Sequence, residues 1–540
     1  MFMLSAPTGL VKVKTPVRWN SLDRRPASEY NTRRYRAGVA QLVEQRTHKP
    51  RVVGSSPTPG TTIVRAPWSA AGFPRGSVLC ARFSPRRRAV RSPLRFFALV
   101  LLGILLPAGP PLHAQPVDTV DSLVTSFFDA PTDTDRAAVL KTLKDRKDIT
   151  PAQVEDAVRR GVFYKPQDAG TFTRKITVEF DGAQTDCTFY VPPGYDARKP
   201  YPALLLMHGM GGTGAAFLNR WLPYATPRNM IVIAPTAVDR VDPKTGKGFG
   251  KDHGYAAQEI ERSVPVSALN AARHLYHIDS DRVYLAGSSM GGHAVWDSIL
   301  TRTDRFAGGI VESGVPILEG WLFTRYLLLA NLFQTHLWVM QGTPDHDQPQ
   351  INTDATDRLK KLGCPVEYRQ LEGRGHGSYP DESDHALDFV LGATRDNYAK
   401  KIVKVVHRVA HGRAWWVRVD KVHGAEWQPA AHIDVKSDGP LSKEEMLRRA
   451  ENQVEQQLSR VDAEILPGNV VNIKTRKVDR LTVFLHDKLV DMDKPVVLRV
   501  NGRIRQQKIV PRDVEFLLEE VRREYDTGRI FYNSVTVSAN

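Results

Sequence analysis

The run Val283-Tyr284-Leu285-Ala286-Gly287-Ser288-Ser289-Met290-Gly291-Gly292 reads as a buried strand, a sharp turn and the first turn of a helix. The turn spells G-x-S-x-G around Ser289. A serine hydroxyl is a poor nucleophile unless it is lifted out of the sheet and set against a base. The two glycines allow the tight strand-to-helix turn that lifts it, and the helix N-terminus behind it offers backbone N–H groups to a developing anion. The same pattern also occurs in ordinary glycine-rich strand–helix turns, so its meaning depends on what else the chain carries.

Three further features agree with a site that attacks carbonyl carbon. Upstream, Tyr201 to Met207 is a short apolar strand that runs into His208-Gly209-Met210-Gly211-Gly212. A glycine-rich turn after a central strand lets backbone N–H groups point at a substrate oxygen, so the N–H groups of Met210 and Met290 are the candidate oxyanion donors. Downstream, Leu337 to Gln341 is a strand followed by Gly342-Thr343-Pro344-Asp345. Val366 to Leu371 is another, followed by Glu372-Gly373-Arg374-Gly375-His376-Gly377. Each strand ends in a loop that presents one polar residue. Ser289, Asp345 and His376 are therefore the candidate nucleophile, orienting acid and base. His346 and Asp347 flank Asp345; Pro349, four residues after Asp345, favours Asp345, with Asp347 as the alternative.

The chain order Ser289, Asp345, His376 is the α/β-hydrolase order, distinct from those of chymotrypsin and subtilisin. Residues from about Ile176 to Leu391 resemble an α/β-hydrolase of the secreted esterase type. The similar groups are feruloyl and acetylxylan esterases, polyhydroxybutyrate-depolymerase-like proteins and the catalytic domain of prolyl-oligopeptidase-type enzymes. The likeness rests on Asp281-Arg282-Val283-Tyr284-Leu285 leading into Gly287 to Gly292, and on Gly342-Thr343-Pro344-Asp345 with Pro349. It implies a mostly parallel α/β sheet covered by helices on both faces, a Ser-His-Asp triad, and an acyl-enzyme on Ser289. It does not select the substrate. Carboxylic esters, including polysaccharide-linked esters and polyesters, are the expected class. A prolyl-oligopeptidase-type peptidase and a non-catalytic surface-binding protein on a hydrolase scaffold are the alternatives.

The formal charge of +16 suggests at first a nucleic-acid or membrane binder. Residues 1–114 carry 19 Lys and Arg against three Asp and Glu, which accounts for all of it, so residues 115–540 are balanced. No basic field recommends nucleic acid as a partner. Arg86-Arg87-Arg88, Arg91 and Arg95 precede the apolar run Phe96 to Leu106, and Leu112-His113-Ala114 follows. Residues 86–114 thus read as a signal peptide cleaved after Ala114, which implies a secreted or periplasmic protein. The apolar run is shorter than the roughly 20 residues that span a bilayer, so no stable membrane span is expected. Residues 1–85 show no sustained apolar period. Ala37 to Gln45 and Val53 to Pro57 resemble translated transfer-RNA gene arms. An upstream mis-set start, with the true one near Val78 or Val90, or a disordered extension is expected there.

The remainder divides into a small helical segment (115–168), a catalytic domain (169–396) and a β-rich, sandwich-like domain (397–540). Thr150-Pro151-Ala152-Gln153 has an N-cap, proline at N1 and Gln at N3. The helical segment is expected to pack on the catalytic domain or to act as a spacer. Strands are expected at 175–181 and 186–192, joined at Asp181-Gly182, and then at 203–207, 230–234, 282–286, 308–312, 336–340 and 365–371. Asn501-Gly502 is a hairpin signal in the C-terminal part. Trp415 and Trp416 are candidates there for a polysaccharide-binding surface or for packing. Trp221, Tyr255 and Trp296 are candidates for pocket lining or core. Cys187 and Cys364 are expected to be buried thiols rather than a disulfide. His274 and His277 lack partners at metal-ligand spacing, and neither a metal nor a cofactor is expected.

Overall fold

A computed structural model describes residues 11–14, 119–180, 182–238, 255, 259–316, 326–427, 432–435, 437 and 439–540. The expectations for the extension and the signal peptide lie outside the described residues, apart from Val11–Lys14, which pairs antiparallel with His432–Val435.

An eight-stranded sheet forms the centre. Its strands are β1 (Gly170–Thr177), β2 (Gln184–Val191), β3 (Tyr201–Met207), β4 (Ile231–Pro235), β5 (Ile278–Ser288), β6 (Gly308–Glu312), β7 (His336–Gly342) and β8 (Val366–Leu371). They lie in the order β1-β2-β4-β3-β5-β6-β7-β8. β1 and β2 form the antiparallel hairpin expected around Gly182, β2 runs antiparallel to β4, and every later pairing is parallel. Parallel strands need crossovers, and helices supply them. Among them are α4 (Gly214–Ala225), α5 (Glu259–Leu275), α6 (Met290–Thr301) and α7 (Gln348–Lys361), while α8 (Ser383–Leu391) follows the last strand; the count starts from α1 to α3, described below.

The central strands are apolar at nearly every position because both faces are covered. Leu205, Ile233, Leu285 and Val339 enter one core with Leu269 of α5, Val295 of α6 and Leu359 of α7. Their neighbours Leu204, Val232, Tyr284 and Trp338 enter the opposite core with Trp221 of α4 and Leu387 of α8. This is the period-2 alternation of strand side chains. Trp221, Trp296 and Tyr255 are buried core residues, as are Cys187 and Cys364, both free thiols. Burial pushes the Cys364 thiol up to about 11.

The C-terminal region builds two further sheets. One contains β9 (Lys401–Val406), β12 (Ser459–Leu466), β13 (Val470–Arg476), β15 (Val496–Val500) and β16 (Arg503–Lys508). The other contains β10 (Arg413–Ala414), β11 (Val417–Val422), β14 (Val478–Leu485) and β17 (Asn533–Ser538). Their inward residues, such as Val461, Ile473 and Leu498 against Val419, Val483 and Val535, share one core. Asn501 and Gly502 join β15 to β16 with φ of 51° and 80°. A two-residue hairpin loop with positive φ at both positions is the type I′ turn that such a pair favours. Trp415 and Trp416 are buried in this core, and Trp416 Nε1 donates to the Ala399 carbonyl at 2.9 Å. Of their two expected roles, packing is the one the structure shows.

The N-terminal helices α1 (Val120–Asp129), α2 (Asp133–Asp145) and α3 (Pro151–Arg159) complete that same core with Leu123, Phe127, Leu140, Leu143, Val154 and Val158. This segment, expected to pack on the catalytic domain or to act as a spacer, has its main apolar contacts elsewhere. Its apolar stripes close the C-terminal sheets, and it touches the central domain through contacts such as Tyr164 stacked on His277. The capping box at α3 forms as expected, with Gln153 N–H donating to Thr150 Oγ1 at 3.3 Å and Thr150 N–H to Gln153 Oε1 at 2.7 Å.

Candidate active site

Ser289, Asp345 and His376 follow the C-terminal ends of β5, β7 and β8, where loops of a parallel sheet gather. Ser289 is the N-cap of α6, at φ 56° and ψ −116°. A non-glycine residue there is strained, and the surrounding glycines leave it no alternative. A Cβ on Gly287 would stand 2.2 Å from the Gly291 carbonyl oxygen, and a Cβ on Gly291 would stand 1.9 Å from that of Met207. The elbow packs backbone against backbone, and Ser289 N–H is tied to the Glu312 carbonyl at 2.8 Å.

His376 Nε2 lies 2.7 Å from Ser289 Oγ, and His376 Nδ1 lies 2.7 Å from Asp345 Oδ2. The flanking alternative, Asp347, instead occupies the N-cap position of α7. Asp345 is buried, whereas the His376 side chain is 41% exposed. The carboxylate is thus shielded from water while the imidazole faces the side from which a substrate enters.

Several residues that motif reading did not single out hold the His376 loop. Gly377 N–H donates to Ser313 Oγ at 3.1 Å, and Ser288 and Ser378 hydroxyls meet at 3.0 Å. Tyr379 Oη receives the Gly342 N–H at 2.8 Å and donates to the Gly375 carbonyl at 2.9 Å. Gln341, the penultimate residue of β7, donates from Nε2 to Asp345 Oδ2. Beneath the elbow, Glu312 is fully buried and paired with Arg220. Burial raises the Glu312 carboxyl above its ordinary value against the opposing pull of Arg220. These contacts join residues up to 92 positions apart, so no local spacing announces them.

The two candidate oxyanion donors flank the nucleophile. Met290 is the first residue of α6, where a backbone N–H has no partner within the helix. Gly209 lies against the elbow, since a Cβ there would stand 3.6 Å from Ser289 Cβ; Met210 follows it with a 66% exposed side chain. His208 braces this turn. Its buried ring receives the Ala237 N–H on Nε2 at 3.0 Å and donates from Nδ1 to the Gly209 carbonyl at 2.7 Å. Among the described residues no group of three or more His, Cys, Asp or Glu is arranged to hold a metal ion. Also among them, no helix is long and apolar enough to cross a membrane. His277 is buried against the Ala197 carbonyl, and His274 packs on Tyr525.

Residues 181–389 match the Esterase family model, described as "Putative esterase". The chain is 31% identical over 200 residues to "Probable dipeptidyl-peptidase 5" of Emericella nidulans, covering 34% of this chain and 26% of that protein. It is 29% identical over 144 residues to dipeptidyl-peptidase 5 of Porphyromonas gingivalis, covering 26% of this chain and 20% of that one. The matches thus span about a quarter or less of the length of these curated relatives. Among solved structures, a ferulic acid esterase is similar at 18% identity and a TM-score of 0.35, over 42% of this chain and 99% of its own. A thermostable esterase is similar at 19% identity and a TM-score of 0.33, over 42% of this chain and 63% of its own. The sheet order is that of the α/β-hydrolase fold, and within it residues 181–389 are similar to the esterase family model.

Proposed function

We propose that this protein is an exported serine hydrolase that cleaves carboxylic esters through an acyl-enzyme on Ser289. The observation that carries the reading is the unbroken hydrogen-bonded line Ser289–His376–Asp345, 2.7 Å at each step. Ser289 Oγ attacks the ester carbonyl carbon while its proton passes to His376 Nε2. The C–O bond to the alcohol then breaks, and His376 returns the proton to the leaving oxygen. Water, deprotonated by the same imidazole, releases the acid and restores the serine. Asp345 holds the Nδ1–H tautomer and stabilises the imidazolium. The Met290 and Met210 N–H groups receive the oxyanion, each worth roughly 10²–10³ in turnover where such donors have been removed. None of these steps calls for a cofactor. The basic and apolar run before Ala114 supports export to the periplasm or beyond.

A peptidase is the second reading, favoured by the dipeptidyl-peptidase 5 relatives. The test is fluorophosphonate labelling of the purified full chain with peptide mapping, followed by short p-nitrophenyl esters against dipeptidyl amides. Label on Ser289 that is lost in His376→Ala, with ester turnover, is the expected result. Faster amide cleavage overturns ester preference, and folded protein that takes no label overturns the enzyme.

A further inference from the structure

The triad does not end at Asp345. Asn352, in the second turn of α7, donates from Nδ2 to the Gly314 carbonyl at 2.9 Å and to Gln341 Oε1 at 3.1 Å. Gln341 donates from Nε2 to Asp345 Oδ2, the same oxygen that receives His376 Nδ1–H. Gln341 and Asn352 are fully buried and Asp345 nearly so. Each bond in this line has a forced direction. A backbone carbonyl only accepts, so Gly314 compels Asn352 to present its NH2. That NH2 compels Gln341 to turn its oxygen toward Asn352 and its own NH2 toward Asp345. Gln341 and His376 both donate to Asp345 Oδ2, and the imidazole that donates Nδ1–H keeps Nε2 free to take the serine proton.

We propose that Gln341 and Asn352 are positioning residues that set the polarity of the triad, holding the Asp345 carboxyl in place and His376 in the tautomer with Nδ1–H. The inference rests on the serine-hydrolase reading. Gln341 also shares the negative charge of Asp345 with His376. Replacing its amide with an apolar group leaves that charge fully available to the imidazolium. A glutamate there shares one proton with Asp345, since two buried carboxylates at hydrogen-bond distance do not both ionise, and it can still donate to that carboxylate.

The experiment compares wild type, Gln341→Met, Gln341→Glu and Asn352→Leu. It reads the second-order rate of fluorophosphonate labelling and kcat/KM for a p-nitrophenyl ester, each from pH 5 to 9, with thermal melting as the folding control. Gln341→Met, close in shape to the native residue, is expected to lose about 10- to 100-fold in rate, as small misplacements of a catalytic group do. Its acid limb is expected to move up by at least about half a pH unit, and less in Gln341→Glu, which keeps the donor. Asn352→Leu is expected to lose rate in the same sense, with KM little changed. Wild-type protein that takes no label defeats the hydrolase reading itself. Labelled wild type with unshifted acid limbs in folded Gln341→Met and Gln341→Glu overturns this inference alone. Loss of folding in both Gln341 variants makes the pair a packing element and overturns it too.

Discussion

Ser289 occupies a backbone conformation that costs about 1–3 kcal/mol for a residue with a side chain. That strain is held by contacts elsewhere, above all the bond from its N–H to Glu312 and the first turn of α6. In that same turn His293 is half-buried, with Nδ1 against the Val315 backbone. Burial holds its imidazole down to about 4, despite the opposing Val315 carbonyl. Burial lowers His277 and His407 in the same way. Such a group is neutral in the folded chain and takes a proton on unfolding near pH 6.5, so it contributes stability above about 6.5 that is lost as pH falls toward the folded value. The melting temperature is therefore expected to drop as pH falls from about 6.5 toward 4, and His293→Gln to flatten part of that drop. A pH-melting series on both proteins checks this, and equal slopes would contradict it. The pattern G-x-S-x-G made Ser289 legible in the sequence. The depth at which His293 lies was not, because a histidine three residues into a helix has no local mark of burial.

At the scale of elements, the site is a set of strand ends held in register. Gly287 of β5 lies beside Met207 of β3, and Gly342 of β7 beside Leu371 of β8, so the loops after them start level. Glycines make this approach possible only where backbone meets backbone. Gly291→Ala thrusts a methyl onto the Met207 carbonyl and is expected to cost about 1–3 kcal/mol or more, with loss of labelling. Gly377→Ala, although next to His376, has nothing within 4 Å of the added methyl and is expected to keep wild-type melting and labelling. Chemical denaturation and probe labelling of the pair check the contrast; equal behaviour of the two variants would show that the elbow relaxes. Most strand positions, the hairpin at Gly182, the Asn501-Gly502 turn and the α3 capping box were readable, because each depends on local apolar period or turn chemistry; the first strand, expected at 175–181, instead runs Gly170–Thr177. The clamp of Ser313, Ser378 and Tyr379 around the His376 loop was not, since it forms only when β6 and the loop after β8 meet.

At the scale of the whole molecule, a buried ionic network joins the domain of the central sheet to the C-terminal sheets. Arg395 donates to Asp281 at 2.8 Å and to Asp526 at 2.7 Å, and Arg273 lies 3.4 Å from Asp526. Arg529 bridges Asp304 and Glu524. Burial by itself raises the Asp526 carboxyl, but Arg273 and Arg395 outweigh it and hold it well below the usual carboxylate range. A Cβ on Gly528 would stand 2.4 Å from Asp281 Oδ1, so the chain passes close over this network. Removing one partner strands buried charge, which typically costs about 3–5 kcal/mol. Asp526→Asn is expected to lower the melting temperature of the whole chain in one transition, taking fluorophosphonate labelling of Ser289 with it although the substitution lies far from Ser289 in sequence. Calorimetry alongside labelling loss checks this; two separated transitions would show that the halves fold independently.

The sequence by itself determined the alternating β/α order, the elbow at Ser289, and the strand-end positions of Asp345 and His376. These follow from side-chain period and from what glycine permits a turn to do, and both act over a few residues. Only the tertiary structure decided that Asp345 rather than Asp347 meets His376, that Trp415 and Trp416 are core, and that α1 to α3 close the C-terminal sheets. The line from Asn352 through Gln341 to Asp345 belongs with them. A carboxylate's partner, a tryptophan's exposure and a helix's covered face are set by which distant surfaces come together to exclude water, and no short window of sequence contains both surfaces.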